Sequence, residues 1–564
     1  MAASPIPTPA RTASALIVVL SLLLLSLGLA SLASAHTQAP ILPTTLSLSA
    51  TNFDYRAAEN RFGAALAFRT VSYSARDKID TDEFRRLHTF LRESFPLVHS
   101  RLKLELINQY SLLYTWTGSG TGDADPSSPA HAHPPNDNRP ILLMAHQDVV
   151  PVRDQLSQWS VDPFEGKTVD GVIWGRGAID CKMTLLAHME SLEVLLSHNF
   201  TPKRTIFFFY GADEELGGWA GARVVVEHLK AILPVPASPA TATPHPRPPL
   251  EFILDEGAMV FTRAFPGLAT PVALIGVAEK GSAVFRVTVR GTPGHSSMEN
   301  ADNSVRVLAQ VVERIHRSPM PLRNGIFLEM LRYIVPSLPY LSPLRFFYPI
   351  YRLLSALAPE RLLHLIPLTP QMQATMKSTI ATTVVRAGDA INVYPAEASV
   401  DVNSRLYPGD SALNVCLHLA HAVGDSRTTV TLLGDDGFQH TCDRKSRKLV
   451  RTSETHGYHN VSADRRPYLE ASPVTSTDTP AFRLVAGTAR GVFSDSVAAP
   501  TLMIGNTDTR HMWDLSENIF RFSPILLPLS EAKRFHGIDE RLEVDSYHKA
   551  IQYWVDLIMN TDKL

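Results

Sequence analysis

Four groups of residues able to bind a metal or move a proton recur along the chain, each just after a short apolar run. They are His146 and Asp148 after ILLMA, Asp180 after WGRGAI, Glu214 and Glu215 after FFFYGAD, and Asp255 after EFIL. Taken singly each is ordinary: His-x-Asp reads as a hydrogen-bonded surface pair, Glu-Glu as a solvated helix start, and a strand-end Asp as a helix cap. The joint order carries the signal. Carboxylates that converge on one place repel unless cations neutralise them, and a mixture of imidazole and carboxylate suits zinc or a related divalent ion.

The apolar runs at 141–146, 205–212 and 251–257 alternate with helically spaced segments at 183–197 and 220–230. Strands alternating with helices predict a mostly parallel sheet covered on both faces, an α/β catalytic domain whose strand ends share one edge. From 283 the pattern changes. VFRVTVRG alternates with period two, a helix follows at 303–317, and strands are expected at 380–386 and 397–405, which predicts an inserted α+β lid. The expected organisation is a catalytic domain over 50–280 and 435–564 with a lid over 281–434. Loops are expected at 118–140 and at the proline-rich 234–249. The aromatic, leucine-rich stretch 319–378 either packs on the lid's own sheet or forms a hydrophobic substrate wall or membrane-facing surface.

The 564 residues are 45% hydrophobic and 19% charged, enough for a sizeable core. Fifty-three Lys+Arg against 55 Asp+Glu leave a net charge of −2, with no basic field for nucleic acid. The cysteines, Cys181, Cys416 and Cys442, allow one disulfide at most. Residues 15–35, ALIVVLSLLLLSLGLASLASA, read as a signal peptide or signal anchor, with Ala35 ending a small-residue cleavage triplet. Asn199 and Asn460 lie in glycosylation sequons usable only in the secretory lumen.

The series HQDVVPV, WGRGAIDCK, GADEELGG and LDEG resembles the co-catalytic zinc peptidase and aminoacylase family. WGRGAIDCK, GNTDTRH, the N-terminal apolar segment and the long lid look most like its carboxypeptidase S branch, the vacuolar Gly-X carboxypeptidases. The resemblance implies two zinc ions per subunit: His146 and Asp255 on one, Asp180 bridging both, Glu215 and a C-terminal histidine on the other. His511 and His536 compete for that last place. His536 fits the family pattern, because Glu540 follows four residues on and a long apolar helix comes after. By the same resemblance Glu214 is the general base, and Asp148 holds the His146 ring and is counted with the catalytic residues. Cys181 stands where many members have Asp and is read as lying beside the ligands, not as a nucleophile. His295, in GTPGHSSMENADNSV, would polarise the scissile carbonyl, often from a partner subunit. Asn392 and Arg405 would hold the substrate's free carboxylate, and GNTDTR would shape the pocket.

The expected function is a zinc-dependent hydrolase that cleaves the amide bond of Gly-X dipeptides or N-acyl amino acids with a free C-terminal carboxylate. The alternatives are an N-fatty-acyl amino acid hydrolase/synthase and, in another class, an inactive luminal binding protein. Expected partners are the small substrate, a membrane through residues 15–35, and a second copy of the chain, with no nucleic acid. The expected location is the secretory pathway: vacuolar lumen, membrane-anchored, or secreted.

Overall fold

A computed structural model describes the chain outside residues 1–37, 74–78, 121–137, 234–246, 266, 340–344, 346–347, 349–369, 435–437, 444–445 and 455–467. In chain order the strands of the two large sheets are β1 (Lys103–Ile107), β2 (Ser111–Trp116), β3 (Ile141–His146), β4 (Ile206–Gly211), β5 (Ile253–Thr262), β6 (Val272–Glu279), β7 (Gly281–Arg290), β8 (Thr379–Ala387), β9 (Glu397–Leu406), β10 (Thr428–Leu433), β11 (Phe438–Asp443), β12 (Lys448–Glu454), β13 (Val497–Met503) and β14 (Ile519–Pro528). The helices used below are α1 (Tyr55–Leu66), α2 (Lys182–Ser197), α3 (Ala222–Ile232), α4 (Ser304–Arg317), α5 (Gly325–Ile334), α6 (Ala412–Val423), α7 (Pro480–Val492) and α8 (Val544–Asn560).

One eight-stranded sheet runs β1-β2-β4-β3-β5-β14-β6-β13. Its centre, β4-β3-β5-β14, pairs in parallel, as do β6 and β13, while β1 and β2 form an antiparallel edge. The runs ILLMAH and IFFFYG are buried at every residue. Helices cover both faces, so neither face of these strands has a polar role. On one face α1, α2, α7 and α8 join the main core; on the other, α3 packs with Met512 and Leu515. Helix α2 carries almost no polar stripe and is buried over nearly its whole length, as a helix between a sheet and a second helix layer must be.

The inserted lid is an antiparallel sheet, β8-β9-β7-β10-β11-β12, backed by α4 and α6. Here β7 alternates buried and part-exposed residues, because only one face meets helices. Caps fix both helices: the side chain of Asn303 accepts from Val305 N–H, Ser411 accepts from Asn414 N–H, and Gly424 ends α6 at φ 58°. A disulfide joins Cys416 on α6 to Cys442 on β11, leaving Cys181 as the free cysteine. Strands β11 and β12 extend the lid sheet to Glu454, past the boundary expected at 434.

Of the apolar stretch 319–378, Met320 joins the lid's core as expected, but most of the residues described do not. Helix α5 leaves the lid and packs on the catalytic domain, where Ile326, Phe327, Met330, Leu331 and Ile334 join the main core and Tyr333 meets Phe482 with ring centroids 5.8 Å apart. The physical reason is the end strand β13, whose apolar side would otherwise lie uncovered. Most of 340–369 lies outside the described residues. So does the apolar segment 15–35; among the described residues no helix is long and apolar enough to cross a membrane.

Candidate active site

The loops that follow the parallel strands bring the expected groups to one edge of the sheet. His146 ends β3. Asp180 sits in the turn before α2, Glu214 and Glu215 in a short 3-10 turn after β4, and His536 in the loop after β14. Asp180 stands between two imidazoles: its Oδ1 lies 2.9 Å from His146 Nε2 and its Oδ2 2.7 Å from His536 Nε2. Glu215 Oε2 is 3.4 Å from His536 Nε2, and Glu256 Oε1 is 3.2 Å from His146 Nε2.

The carboxylate in contact with His146 here is that of Glu256; the expected ligand Asp255 lies one residue before it, buried, with its Oδ2 free of hydrogen bonds. Neighbouring residues of a strand point to opposite faces. Asp255 turns away, accepting Glu256 N–H at 2.9 Å, and sits near Glu279 and Thr507. The pairing of β5 with β14 shifts register between Asp255 and Ala258, and a Cβ on Gly257 would lie 2.8 Å from the carbonyl carbon of Arg521. Only glycine permits that approach, and the bulge aims Glu256 at the site.

Asp148 does more than steady a ring. The His146 Nδ1 atom lies 2.9 Å from the Asp148 carbonyl oxygen and 3.4 Å from its Oδ1, and the same carboxylate accepts the backbone N–H of Glu214 and of Glu215, both at 3.1 Å. The Ser72 hydroxyl adds a donor at 2.6 Å. Glu540 plays the equivalent part opposite. Fully buried, it accepts Ile179 and Asp180 N–H on one oxygen, at 2.6 and 3.0 Å, and Arg176 Nη1 and Gly177 N–H on the other, at 2.6 and 3.2 Å. Arg176 in turn donates to the carbonyls of His536 and Gly537 at 3.4 and 3.0 Å. These bonds hold His536 in the left-handed region, at φ 57°, which costs a non-glycine residue about a kcal/mol or more.

Glycines in GADEELGG serve the same compactness. Gly218 has φ 66°, and a Cβ there would lie 2.0 Å from Asp508 Oδ1; at Gly211 it would lie 2.6 Å from Oδ2. The Asp508 carboxylate is buried directly under the Glu214 turn with neither oxygen hydrogen-bonded. Its pKa rises well above the usual carboxylate range through burial and the neighbouring Glu214, Asp255 and Asp213.

Charge at the centre is out of balance for protein groups alone. Burial pushes Glu214 up to about 8, and it raises Glu215 and Glu256 as well. Both imidazoles are raised as well, which favours their charged form: burial opposes protonation, yet Glu256 and Asp180 raise His146, and Asp180 and Glu215 lift His536 to about 10. Facing both rings, Asp180 is held low in spite of its burial. One oxygen of Glu215 is buried with no hydrogen-bond partner. Two imidazoles and three carboxylates converging this way fit divalent cations. Geometry admits two donor groups, His146 with Asp180 and Glu215, and His146 with Cys181 and Glu256. Cys181, expected beside the ligands, is itself one of these candidate donors; it is fully buried, its thiol pushed well up by burial and Glu256.

A cavity of 1120 Å³ opens over the centre. Asp180, Glu214, Glu215, Glu256 and His536 line its floor, Arg405 and Arg510 its wall, and Met259, Phe261, Leu527 and Phe535 an apolar flank. Among the described residues none of 319–378 lines it. His511, the rival of His536, lines the cavity away from Asp180, with its Nε2 2.8 Å from Gly217 carbonyl oxygen and its ring 5.1 Å from that of Trp219. His295 and Asn392 are not brought to the cavity. His295 is exposed on a two-residue ladder with Val393, its Nδ1 2.8 Å from Ser297 Oγ, and Asn392 is exposed beside it.

The profile of peptidase family M20/M25/M40 matches residues 142–560. The chain belongs to that family. It is 36% identical to probable carboxypeptidase S-like 2 of Dictyostelium discoideum over 89% of this chain and 85% of that one. It is 30% identical to the human N-fatty-acyl-amino acid synthase/hydrolase PM20D1 over 88% and 86%. The crystal structure of the M20 family metallo-carboxypeptidase Sso-CP2 from Sulfolobus solfataricus superposes with a TM-score of 0.53 at 15% identity, covering 90% of this chain and 99% of that one, and shares its fold. The M20 chain is accordingly a hydrolase of the metallopeptidase class, and the reading as an inactive binding protein has no support. Glu256, Arg176, Asp508 and Arg510 lie within LDEG, WGRGAIDCK and GNTDTR, but the sequence marked none of them singly. Glu540 was noticed only as spacing.

Proposed function

We propose that the chain hydrolyses the amide bond of small N-acyl amino acids or Gly-X dipeptides with a free C-terminal carboxylate, at a pair of zinc ions. The observation that carries this reading is Asp180 set between His146 and His536, next to a buried carboxylate, Glu214, that contacts neither imidazole. His146 and Glu256 would hold one ion, His536 and Glu215 the other, with Asp180 shared between them. Such a pair, when bound, acidifies a water and polarises the amide carbonyl.

The chain's own residues supply the rest. Glu214, held by its backbone N–H on Asp148, takes the proton from the attacking water and returns it to the leaving nitrogen. Arg405 receives the substrate carboxylate, which fixes the amide over the floor of the cavity. Donors at the carbonyl would come from His295 of a second copy of the chain. Supporting a homodimer, the lid's edge strand β8 is exposed along most of its length, with Val384 and Val385 at 41% and 63%, and Ile391 and Met298 stand exposed near it.

A longer acyl group is the second reading, favoured by the apolar flank of Met259, Phe261, Leu527 and Phe535 and by the name of the PM20D1 relatives. A secretory location, vacuolar, membrane-anchored or secreted, is supported by the Cys416–Cys442 disulfide and the exposed sequon at Asn199. Asn460 lies outside the described residues.

The test is turnover of Gly-Leu and of a long-chain N-acyl leucine by zinc-loaded chain, with and without chelator. Chelator-sensitive release of leucine is expected, and which substrate is faster separates the two readings. No leucine from either would refute both.

A further inference from the structure

Arg405 and Arg510 face the same cavity. Among the described residues the hydrogen bond of the Arg405 guanidinium is to a neutral group, Asn506 Oδ1, at 2.9 Å. Asn506 is itself fixed by donating to the Lys280 carbonyl. Across from it, Arg510 anchors its Nε on the Thr507 carbonyl at 3.0 Å and turns Nη2 to Glu214 Oε1 at 3.3 Å, with 17% and 9% of the two side chains exposed. The two positive charges are near enough to oppose each other: burial and then Arg510 lower the pKa of Arg405. Of these two guanidiniums in one part-buried cavity, Arg405 has a neutral partner in Asn506 and Arg510 a carboxylate partner in Glu214. That carboxylate is the one needed as base.

We infer that Arg510 is the second arm of the carboxylate clamp, and that its ion pair with Glu214 is exchanged for one with the substrate's carboxylate when substrate binds. Resting on the reading of the site given above, this assigns Arg510 two effects. It binds the carboxylate together with Arg405, and it keeps Glu214 engaged until a substrate with the right terminus arrives. Charge balances throughout: one carboxylate enters the cavity and Arg510 changes partner, so Glu214 is left free above the metal floor. The guanidinium geometry suits the exchange, because Nε stays on Thr507 while the Nη edge swings between two oxygens. An amidated substrate cannot draw Arg510 away, and its turnover number should suffer along with its affinity.

The test compares binding with catalysis in the zinc-loaded full chain. Calorimetry with leucine and leucinamide reads the clamp without any chemistry. Wild type should bind leucine at least tenfold tighter, and Arg510→Gln, which keeps a donor for Thr507, should cut that preference fivefold or more. Arg405→Ala combined with Arg510→Gln should cost less than the product of the two single losses, because both arms hold one carboxylate. In turnover of N-acetyl-leucine, Arg510→Gln should raise KM more than it changes kcat. An unchanged leucine preference in Arg510→Gln, or losses that multiply in the double variant, would overturn the inference. Failure of the hydrolytic reading would show instead as leucine binding with no turnover by wild type.

Discussion

The carboxylate of Asp148 accepts the backbone N–H of Glu214 at 3.1 Å. Asp148, through its carbonyl and its carboxylate, thus ties the ring of His146, two residues away, to the turn that carries Glu215 and the proposed base, Glu214. These hydrogen bonds fix where the backbone of Glu214 stands relative to His146. Such a preorganised arrangement loses little entropy when the reacting atoms arrive.

With its position fixed through the backbone, Glu214 can be changed chemically without moving the turn. Glu214→Gln should keep the wild-type metal content and lose roughly 10²-fold or more in kcat. Metal analysis alongside steady-state kinetics checks this, and a variant with near wild-type kcat would remove Glu214 from proton transfer.

The choice between the two adjacent acids of LDEG is equally open to measurement. Glu256→Ala should cost one metal equivalent per chain, whereas Asp255→Asn should retain the full complement, because its carboxyl faces Glu279 and Thr507. Loss of metal in Asp255→Asn with retention in Glu256→Ala would reverse the assignment.

Glu540 accepts four donors on two oxygens and touches none of the candidate ligand side chains. In Glu540→Gln the amide nitrogen would meet N–H groups that need an acceptor, loosening the Asp180 turn and, through Arg176, the His536 loop. Metal affinity should fall about 10–100-fold, as for other groups that orient ligands. Titration with a competing chelator reads this directly, and an unchanged affinity would show that the turn holds itself.

His188 offers a pH dependence away from the metal floor. Fully buried against Phe208, Tyr210 and Trp554 with neither ring nitrogen hydrogen-bonded, it is pushed by burial down to about 3. The folded chain keeps it neutral while the unfolded chain protonates it near 6.5. Its contribution is present above about 6.5 and is lost as pH falls from there toward 3, on the order of a few kcal/mol in all. His188→Leu should therefore lose less stability than wild type between pH 7 and 4.5 in urea unfolding. Identical losses would mean that the ring is solvated or paired.

Much of this was legible in the residues themselves. The short apolar runs ILLMA and IFFFYG, set between helically spaced segments, read as strands covered on both faces, and the alternation of VFRVTVRG as a sheet with one open face. The order of His146, Asp180, Glu214 and Glu215 at strand ends led to the shared edge, whereas only the family resemblance favoured His536 over His511. What stayed hidden depends on pleat and register. Asp255 and Glu256 differ by one position, and only the bulge at Gly257 decides which of them meets His146. The apolar run holding α5 declares burial but not the surface that buries it, and its partner β13 lies far along the chain. Arg510 sat within a recognised loop, but its aim at Glu214 comes from the packing of that loop beneath the turn after β4.

In the proposed centre one carboxylate, that of Asp180, serves two metal ions. The most direct measurement is metal content per chain after dialysis of wild type and Asp180→Ala. Two equivalents are expected in wild type and both should be lost together in the variant, because His146 and His536 share that one group. A variant that keeps a full equivalent, or a wild type that never holds more than one, would contradict the bridged centre.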